Sequence, residues 1–437
     1  MRNMTLYLIL HTLWSIFGVI FILRCSFSPA SSWAWCLAMV LCPWVATLML
    51  WLTSSPATYV TNIPHSRHYN RLQRAVISLT NGNFSTRNHI TALHNANATF
   101  SAIIRDLQHA REEIIFEYYI IDNDYIGATI LSLLGRRARA GVKVKIIYDA
   151  IGSWRLDKKL LLQMEQSGIE LQCYGALRFP YLLPSSHQRN HRKIILIDRQ
   201  ILYMGGINIA SRYLGHSKIG FWRDDHLRIE GEAAYKVAGC MYPNEKKTLP
   251  KKLSSAICPM QVAYTSGHGT SSALLYIFME ALGAARHSIR ISTPYFLPPS
   301  TLLDSICMAA QSGVEVELIV PTKPDVRLIN WASMPALRRC AECGVKIYRY
   351  EGGFLHSKVV IIDKSVTIIG SANIDYRSLC YNLEAVAIIY NKPLAIHYAS
   401  QFDNDVSHSC RVDIQQLQSP MFTRIKEGVA QLVAPLL

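Results

Sequence analysis

His191-Arg-Lys193-Ile-Ile-Leu-Ile-Asp198 recurs downstream as His356-Ser-Lys358-Val-Val-Ile-Ile-Asp363. Both stretches have the form H-x-K-x-x-x-x-D. Both lead into a small-residue turn that ends in asparagine: Gly205-Gly206-Ile207-Asn208 and Gly370-Ser371-Ala372-Asn373. The spacing from histidine to asparagine is the same in the two copies. A lone H-x-K reads as an ordinary core strand with a polar end. Two copies at matched spacing read as an internally duplicated chain that builds one site from two halves.

Taken as a strand, each copy puts its histidine and lysine on one face, because side chains at i and i+2 point the same way. The runs 194–197 and 359–362 are apolar without alternation, the pattern of a strand buried on both faces of a layered α/β sheet. Each copy thus offers an imidazole beside an ammonium, with a carboxylate beyond the strand end. A neutral imidazole is a nucleophile near pH 7 and an imidazolium is an acid there. Lysine and a side-chain amide supply charge and donors for phosphate oxygens. A carboxylate on the far ring nitrogen would fix the tautomer. Two such sets facing each other suit in-line displacement at phosphorus through a covalent intermediate, with lysine charge in the place that metal ions take elsewhere. No carboxylate cluster suited to a metal is legible, and no cofactor is expected.

The surrounding chain repeats a plan. Residues 98–111 read as a helix, 114–120 as a strand, 126–140 as an amphipathic helix stopped by Gly141, and 142–148 as a strand. Farther on, 274–286 read as a helix and 288–293 as a strand. Ser300 reads as the N-cap of a helix that Gly313 ends, and 314–320 as the next strand. Residues 168–174 match 344–350 in the same way. Strand, helix, strand in each half predicts an α/β fold: two pseudo-symmetric halves with mixed or parallel sheets covered by helices. Pairing of the halves would bring both motifs to their interface. Tyr119 and Tyr295 fall at equivalent strand ends, where they line the pocket or pack beside it. The piece from Ile414 on reads as an amphipathic helix against the second half.

The 437 residues leave room for two domains and a membrane segment. The formal net charge of +15 suits anionic lipid or nucleic acid and does not choose between them. Eleven dispersed cysteines argue against a disulfide framework. Cys340-Ala-Glu-Cys343 has no partner pair nearby in the chain, and reads as a helix end rather than a zinc or redox site.

Residues 4–23 are almost wholly apolar, enough at ~1.5 Å per residue to cross a ~30 Å hydrocarbon core. A second stretch of equal length, 33–52, carries Trp33, Trp35 and Trp51 near its ends and Pro43 inside. Together they predict a two-helix transmembrane hairpin rather than a cleaved signal peptide, with His11 an inert polar residue. Arg2 before the first helix, and Arg67, Arg71 and Arg74 after the second, place both ends and the catalytic part in the cytoplasm. The expected division is a hairpin over 1–53, a connector over 54–91, a first half over 92–240, a charged linker over 241–260 and a second half over 261–437.

The doubled motif resembles the phospholipase D superfamily. With Tyr148-Asp-Ala-Ile-Gly-Ser153, Phe221-Trp-Arg-Asp224, Thr293-Pro-Tyr-Phe296, Asn373-Ile-Asp-Tyr-Arg-Ser378, Asn382-Leu-Glu384 and the apolar N-terminus, the likeness narrows to bacterial cardiolipin synthases. The resemblance implies an enzyme of the bacterial inner membrane. It would join two phosphatidylglycerol molecules, one donor and one acceptor, into cardiolipin and glycerol. It would have no nucleic-acid partner. It implies His191 as nucleophile and His356 as acid, or the two exchanged. Lys193, Lys358, Asn208 and Asn373 would hold phosphate, Asp198 and Asp363 would be the motif carboxylates, and Glu384 would support the site. Two features depart from the family: the stretch 240–252 is short and lacks an expected tryptophan, and Arg212 stands where an acid is common. The competing readings are a phosphodiesterase acting on lipid or nucleic acid, and a non-catalytic protein that binds the membrane surface.

Overall fold

The computed structural model describes residues 2–24, 29–53, 69–80, 84–176, 188–217, 219–242, 255–265, 272–432 and 434. Of the linker expected over 241–260, residues 243–254 lie outside the described residues, as does Arg67, and its last residues, 257–260, belong to a strand. The chain divides into two compact units, Met1–Pro56 and Ala57–Leu437.

The first unit holds α1 (Arg2–Arg24), α2 (Pro29–Leu41) and α3 (Pro43–Thr53). The segment Met4–Arg24 has a mean hydropathy of 2.2 and is, among the described residues, the one helix long and apolar enough to cross a membrane. The second stretch, expected as a span of equal length, is broken at Pro43 into α2 and α3. Proline lacks the N–H that would continue the helical ladder, and its ring crowds the preceding turn. Within this unit Trp14 and Trp44 stack with ring centroids 5.0 Å apart. Trp14 Nε1 donates to Thr47 Oγ1 at 2.9 Å.

The second unit begins with α4 (Arg71–Thr80) and β1 (Ser85–Leu93), so the polar region expected as a connector carries structure of its own. In the first half α5 (Ala96–His109), α6 (Tyr125–Arg139) and α7 (Lys158–Gln166) precede β2 (Glu113–Tyr118), β3 (Lys143–Asp149) and β4 (Glu170–Tyr174). Then follow β5 (Lys193–Ile197), β6 (Ile201–Gly205), β7 (Trp222–Arg223) and β8 (His226–Gly231). The second half contributes β9 (Ile257–Tyr264), β10 (Ser288–Ser292), β11 (Phe296–Leu297), β12 (Glu315–Pro321), β13 (Lys346–Tyr350) and β14 (Phe354–Leu355). It continues with β15 (Val359–Ile362), β16 (Val366–Gly370), β17 (Ile374–Asp375), β18 (Ala385–Ile389) and β19 (Ser409–Val412).

One mixed sheet joins the halves, in the order β19-β13-β12-β10-β15-β16-β18-β9-β1-β8-β6-β5-β2-β3-β4. β1 lies at its middle and pairs antiparallel with β8 on one side and β9 on the other. Outward from this seam, β2, β3 and β4 run parallel in one arm, and β10, β12 and β13 in the other. The parallel connections need crossovers, which α6 and α7 supply in one arm and the helices Ser300–Gln311 and Arg327–Glu342 in the other. Ser300 is the first residue of its helix; Pro299 holds the cap position.

Every residue of β5 and β15 is buried, as their unbroken apolar runs predict. Each such aliphatic side chain contributes about 2 kcal/mol relative to exposure. Among the described residues three apolar cores flank the sheet. One serves the first half and one the second. The third draws Ile194 and Leu227 from the first half together with Met260, Val359 and Phe402 from the second. A buried polar cluster also crosses the seam: Arg192 donates to Glu117 Oε1 at 2.8 Å and to the Tyr264 hydroxyl at 2.7 Å.

Candidate active site

His191 and His356 stand just ahead of β5 and β15, each held by backbone from the opposite half. His191 N donates to Leu383 O at 2.9 Å, and His356 N to Arg223 O at 2.7 Å. The parallel pairing of β14 with β7 supports the second bond. Both imidazoles line one cleft of about 200 Å³, together with Tyr119, Asn208, Tyr295 and Asn373. The two tyrosines thus line the pocket.

The orienting carboxylates are exchanged between halves. His191 Nδ1 donates to Glu384 Oε1 at 2.9 Å. His356 Nδ1 donates to Asp224 Oδ2 at 2.6 Å. In each ring Nε2 is the nitrogen left for the cleft. The turns ahead of each asparagine support these acids. Ser371 Oγ donates to Glu384 Oε2. At the equivalent place Gly206 leaves room for Asp224: a Cβ there would lie 2.2 Å from Asp224 Oδ1.

Asp198 and Asp363, the motif carboxylates expected beyond the strand ends, bond backbone there and neither imidazole. Asp198 accepts from the backbone N–H groups of Arg111, Glu112 and Glu113 at 2.8–3.0 Å. Asp363 does the same for Arg286, His287 and Ser288 at 2.7–2.9 Å. Both sit in tight hairpin turns, where Asp198 and Arg199 have φ of 50° and 55°, and Asp363 and Lys364 of 51° and 48°. Aspartate tolerates that left-handed backbone and bonds locally. A strand of five residues, about 16 Å long, separates Asp198 from its histidine. The motif acids are therefore clamps on the helix-to-strand junctions.

Lys193 and Lys358 lie beneath the cleft rather than among its lining residues, and both are buried. Lys193 Nζ donates to His191 O at 2.6 Å. Lys358 Nζ donates to His356 O and lies 2.8 Å from His356 Nδ1. Burial draws Lys193 down to about 7 and lowers Lys358. Burial also lowers both histidines, His356 well below its ordinary value, with the two lysines acting in the same direction. Burial raises Asp224 to about 6. Glu384 is lowered: burial raises it, but His191 and Lys193 together outweigh that.

Asn208 accepts from Ile120 N at 3.2 Å and donates to the Tyr213 hydroxyl at 2.8 Å. Asn373 donates to Asp375 Oδ2 at 2.9 Å. Arg212, the departure noted in the sequence, lines the cleft in an ion pair with Asp122. Asp224 is the functional residue that spacing alone did not single out. Its only signal was the phrase Phe221-Trp-Arg-Asp224.

The chain matches the family described as "Cardiolipin synthase, PLD-like domain" over residues 103–218 and 278–406. It is 35% identical over 367 residues to a cardiolipin synthase of Staphylococcus aureus, covering 81% of this chain and 74% of that one. It is 34% identical over 411 residues to a cardiolipin synthase of Geobacillus kaustophilus, covering 90% and 81%. The crystal structure of a phosphatidylserine synthase from Haemophilus influenzae superimposes with a TM-score of 0.65 at 17% identity, covering 84% of this chain and all of that one. That likeness establishes the shared α/β fold with a mixed sheet.

Proposed function

The chain belongs to the cardiolipin synthase family with phospholipase D-like domains and is a phosphatidyltransferase that makes cardiolipin; from that premise we propose how its residues divide the work. His191 attacks the phosphorus of one phosphatidylglycerol through Nε2. The P–Nε2 bond forms as the bond from phosphorus to the glycerol oxygen breaks. His356 gives its Nε2 proton to that oxygen, and glycerol leaves. The terminal hydroxyl of a second phosphatidylglycerol then attacks the phosphatidyl-histidine. His356 takes the proton, and cardiolipin is released with His191 restored.

One observation carries this assignment: both imidazoles line a single cleft, each with its Nδ1 engaged by a carboxylate from the other half. Glu384 and Asp224 stabilise the imidazolium forms and hold each Nε2 toward substrate. A phosphodiester adds negative charge over Lys193, Lys358 and the two rings. That charge opposes the burial that lowers these groups, and makes a protonated His356 accessible once substrate is bound. Asn208 and Asn373 are the neutral donors of the pocket. Transfer outruns hydrolysis because the cleft admits lipid and restricts water.

The two halves act as a pseudo-symmetric pair. We propose that α1 makes one pass of the inner membrane and that α2 and α3, continuous but for the break at Pro43, make the return pass, with the catalytic unit on the cytoplasmic side. Purified protein given phosphatidylglycerol vesicles should release cardiolipin and glycerol, whereas phosphatidic acid alone would mark a hydrolase. Acid-free quenching followed by peptide mass spectrometry should find the phosphatidyl group on His191. Its recovery on His356 would exchange the two roles.

A further inference from the structure

The helix Met421–Leu432 carries two apolar faces rather than one. The inner face holds Ala430, packed beside Ala332 and Leu297. On the outer face Phe422, Ile425, Val429 and Leu432 are 81%, 52%, 59% and 81% exposed. Their spacing of three, four and three residues places them in a single stripe. A stripe of four large apolar side chains facing water costs solubility and returns nothing to the fold.

The charges on this helix are sorted. Its acid, Glu427, is buried and bonded to Arg338 at 2.9 Å and to Ser419 at 2.6 Å. Its basic residues, Arg424 and Lys426, are exposed and flank the stripe. Lys426 lies over the Trp331 ring, with Nζ 5.9 Å from the centroid. Trp331 belongs to the helix Arg327–Glu342, whose Ile329 lines the catalytic cleft and packs in the same cluster as Ala430. Across the cleft the pattern recurs. Trp154 is 72% exposed with the Arg155 guanidinium 5.2 Å from its ring. Ser153, next to it, bonds the backbone of the cleft residue Tyr119 at 3.0 Å.

We propose that the outer face of Met421–Leu432, with Trp331 and Trp154 as flanking anchors, is an interfacial surface that beds the catalytic unit on an anionic phospholipid bilayer. Apolar side chains enter the acyl boundary, indole rings sit at headgroup depth and the flanking cations meet lipid phosphates. The cleft then opens where the substrate already lies, and lipid reaches His191 without crossing bulk water. This rests on the phosphatidyltransferase reading for its purpose and its kinetic readout, but not for its crosslinking readout.

The test uses the full-length chain and two readouts. The first compares the wild type with the triple variant Phe422→Glu, Ile425→Glu and Val429→Glu, whose sites are exposed. Turnover of phosphatidylglycerol in vesicles of one part phosphatidylglycerol to three parts phosphatidylcholine should fall at least tenfold (about 1.4 kcal/mol). Glycerol release from dibutanoyl-phosphatidylglycerol, monomeric in water, should be unchanged. Equal losses on both substrates, or none on either, would overturn the proposal. The second places benzoylphenylalanine at position 422 and irradiates the protein in those vesicles. A phospholipid adduct on the 421–432 peptide is expected whether or not the enzyme turns over. Crosslinking to a second copy, or no adduct, would overturn it. A wild type that forms lipid adducts yet converts neither substrate would refute the catalytic reading and leave the docking surface standing.

Discussion

Glu384 bonds His191 at 2.9 Å across 193 residues of chain, and its carboxylate reaches the ring from the other half of the fold. Asp224 returns the arrangement to His356 across 132 residues. Neither cleft histidine takes its carboxylate from its own half, so catalysis depends on the seam between them.

Glu384→Gln should remove the orienting acceptor while keeping the shape. The amide can present its N–H to Nδ1 and select the wrong tautomer. Single-turnover rates should fall roughly 10³–10⁴-fold, the scale of the analogous change in a catalytic triad, with little change in melting temperature. Asp224→Asn should act alike on the protonation of the leaving glycerol. A variant within threefold of wild type would remove Glu384 from the mechanism.

Asp198→Ala and Asp363→Ala should behave in the opposite way. Each leaves backbone N–H groups without their acceptor, a loss of about 1–3 kcal/mol, while kcat per folded molecule stays near that of wild type. Asp363 is held below its ordinary 3.8, because three backbone N–H groups and His287 outweigh partial burial. Its stabilisation is present above that value and disappears as pH falls through the lowered one. Chemical denaturation beside active-site titration separates the two effects. A loss of kcat without loss of stability would return these acids to the catalytic set.

The pH profile of kcat/KM reports the free enzyme. Burial holds His191 below 6.5, so its neutral, nucleophilic form persists into acid and the acid limb lies below that value. Lys193 is charged below about 7 and neutral above it. The alkaline limb carries two losses, the proton that His356, held well below 6.5, must give to glycerol and the charge of Lys193, so it should be under way by neutrality. Initial rates on the monomeric substrate between about pH 5 and about pH 9 should trace a bell. A flat line would contradict this ionisation scheme.

Arg223 bridges two buried acids, Asp225 at 2.8 Å and Asp405 at 3.1 Å, and its own backbone carbonyl accepts from His356 N. Arg223→Met removes the cation they share, leaving Asp225 with His94 and Ser357 and Asp405 with Gln401. It should destabilise the fold by about 3–5 kcal/mol, read as a drop in denaturation midpoint. A stability equal to wild type would show that the acids find other partners.

Much of the framework was legible in the residues. The unbroken apolar runs after His191 and His356 announced strands buried on both faces, and β5 and β15 are such strands. The alternation of helices and strands placed the α/β units, with ends that moved by a few residues. The polar stretch before Thr91 misled, because β1 fills the middle of the sheet with few apolar side chains. Its place there is secured by backbone pairing on both edges, which composition does not record. Pro43 was visible, but whether it bends or breaks a helix depends on what packs around it.

By itself the sequence determined the chemistry on offer: two histidines, two lysines and two asparagines at matched spacing, arranged around strands that local apolar patterning predicts. Only the tertiary structure decided which carboxylate serves which ring. Strand rise carries Asp198 and Asp363 to the far ends of β5 and β15, where hairpin turns consume them. Pairing across the seam brings Glu384 and Asp224 to the imidazoles instead. Local propensity acts over a few residues, while these contacts are made by sheet pairing between segments more than a hundred residues apart.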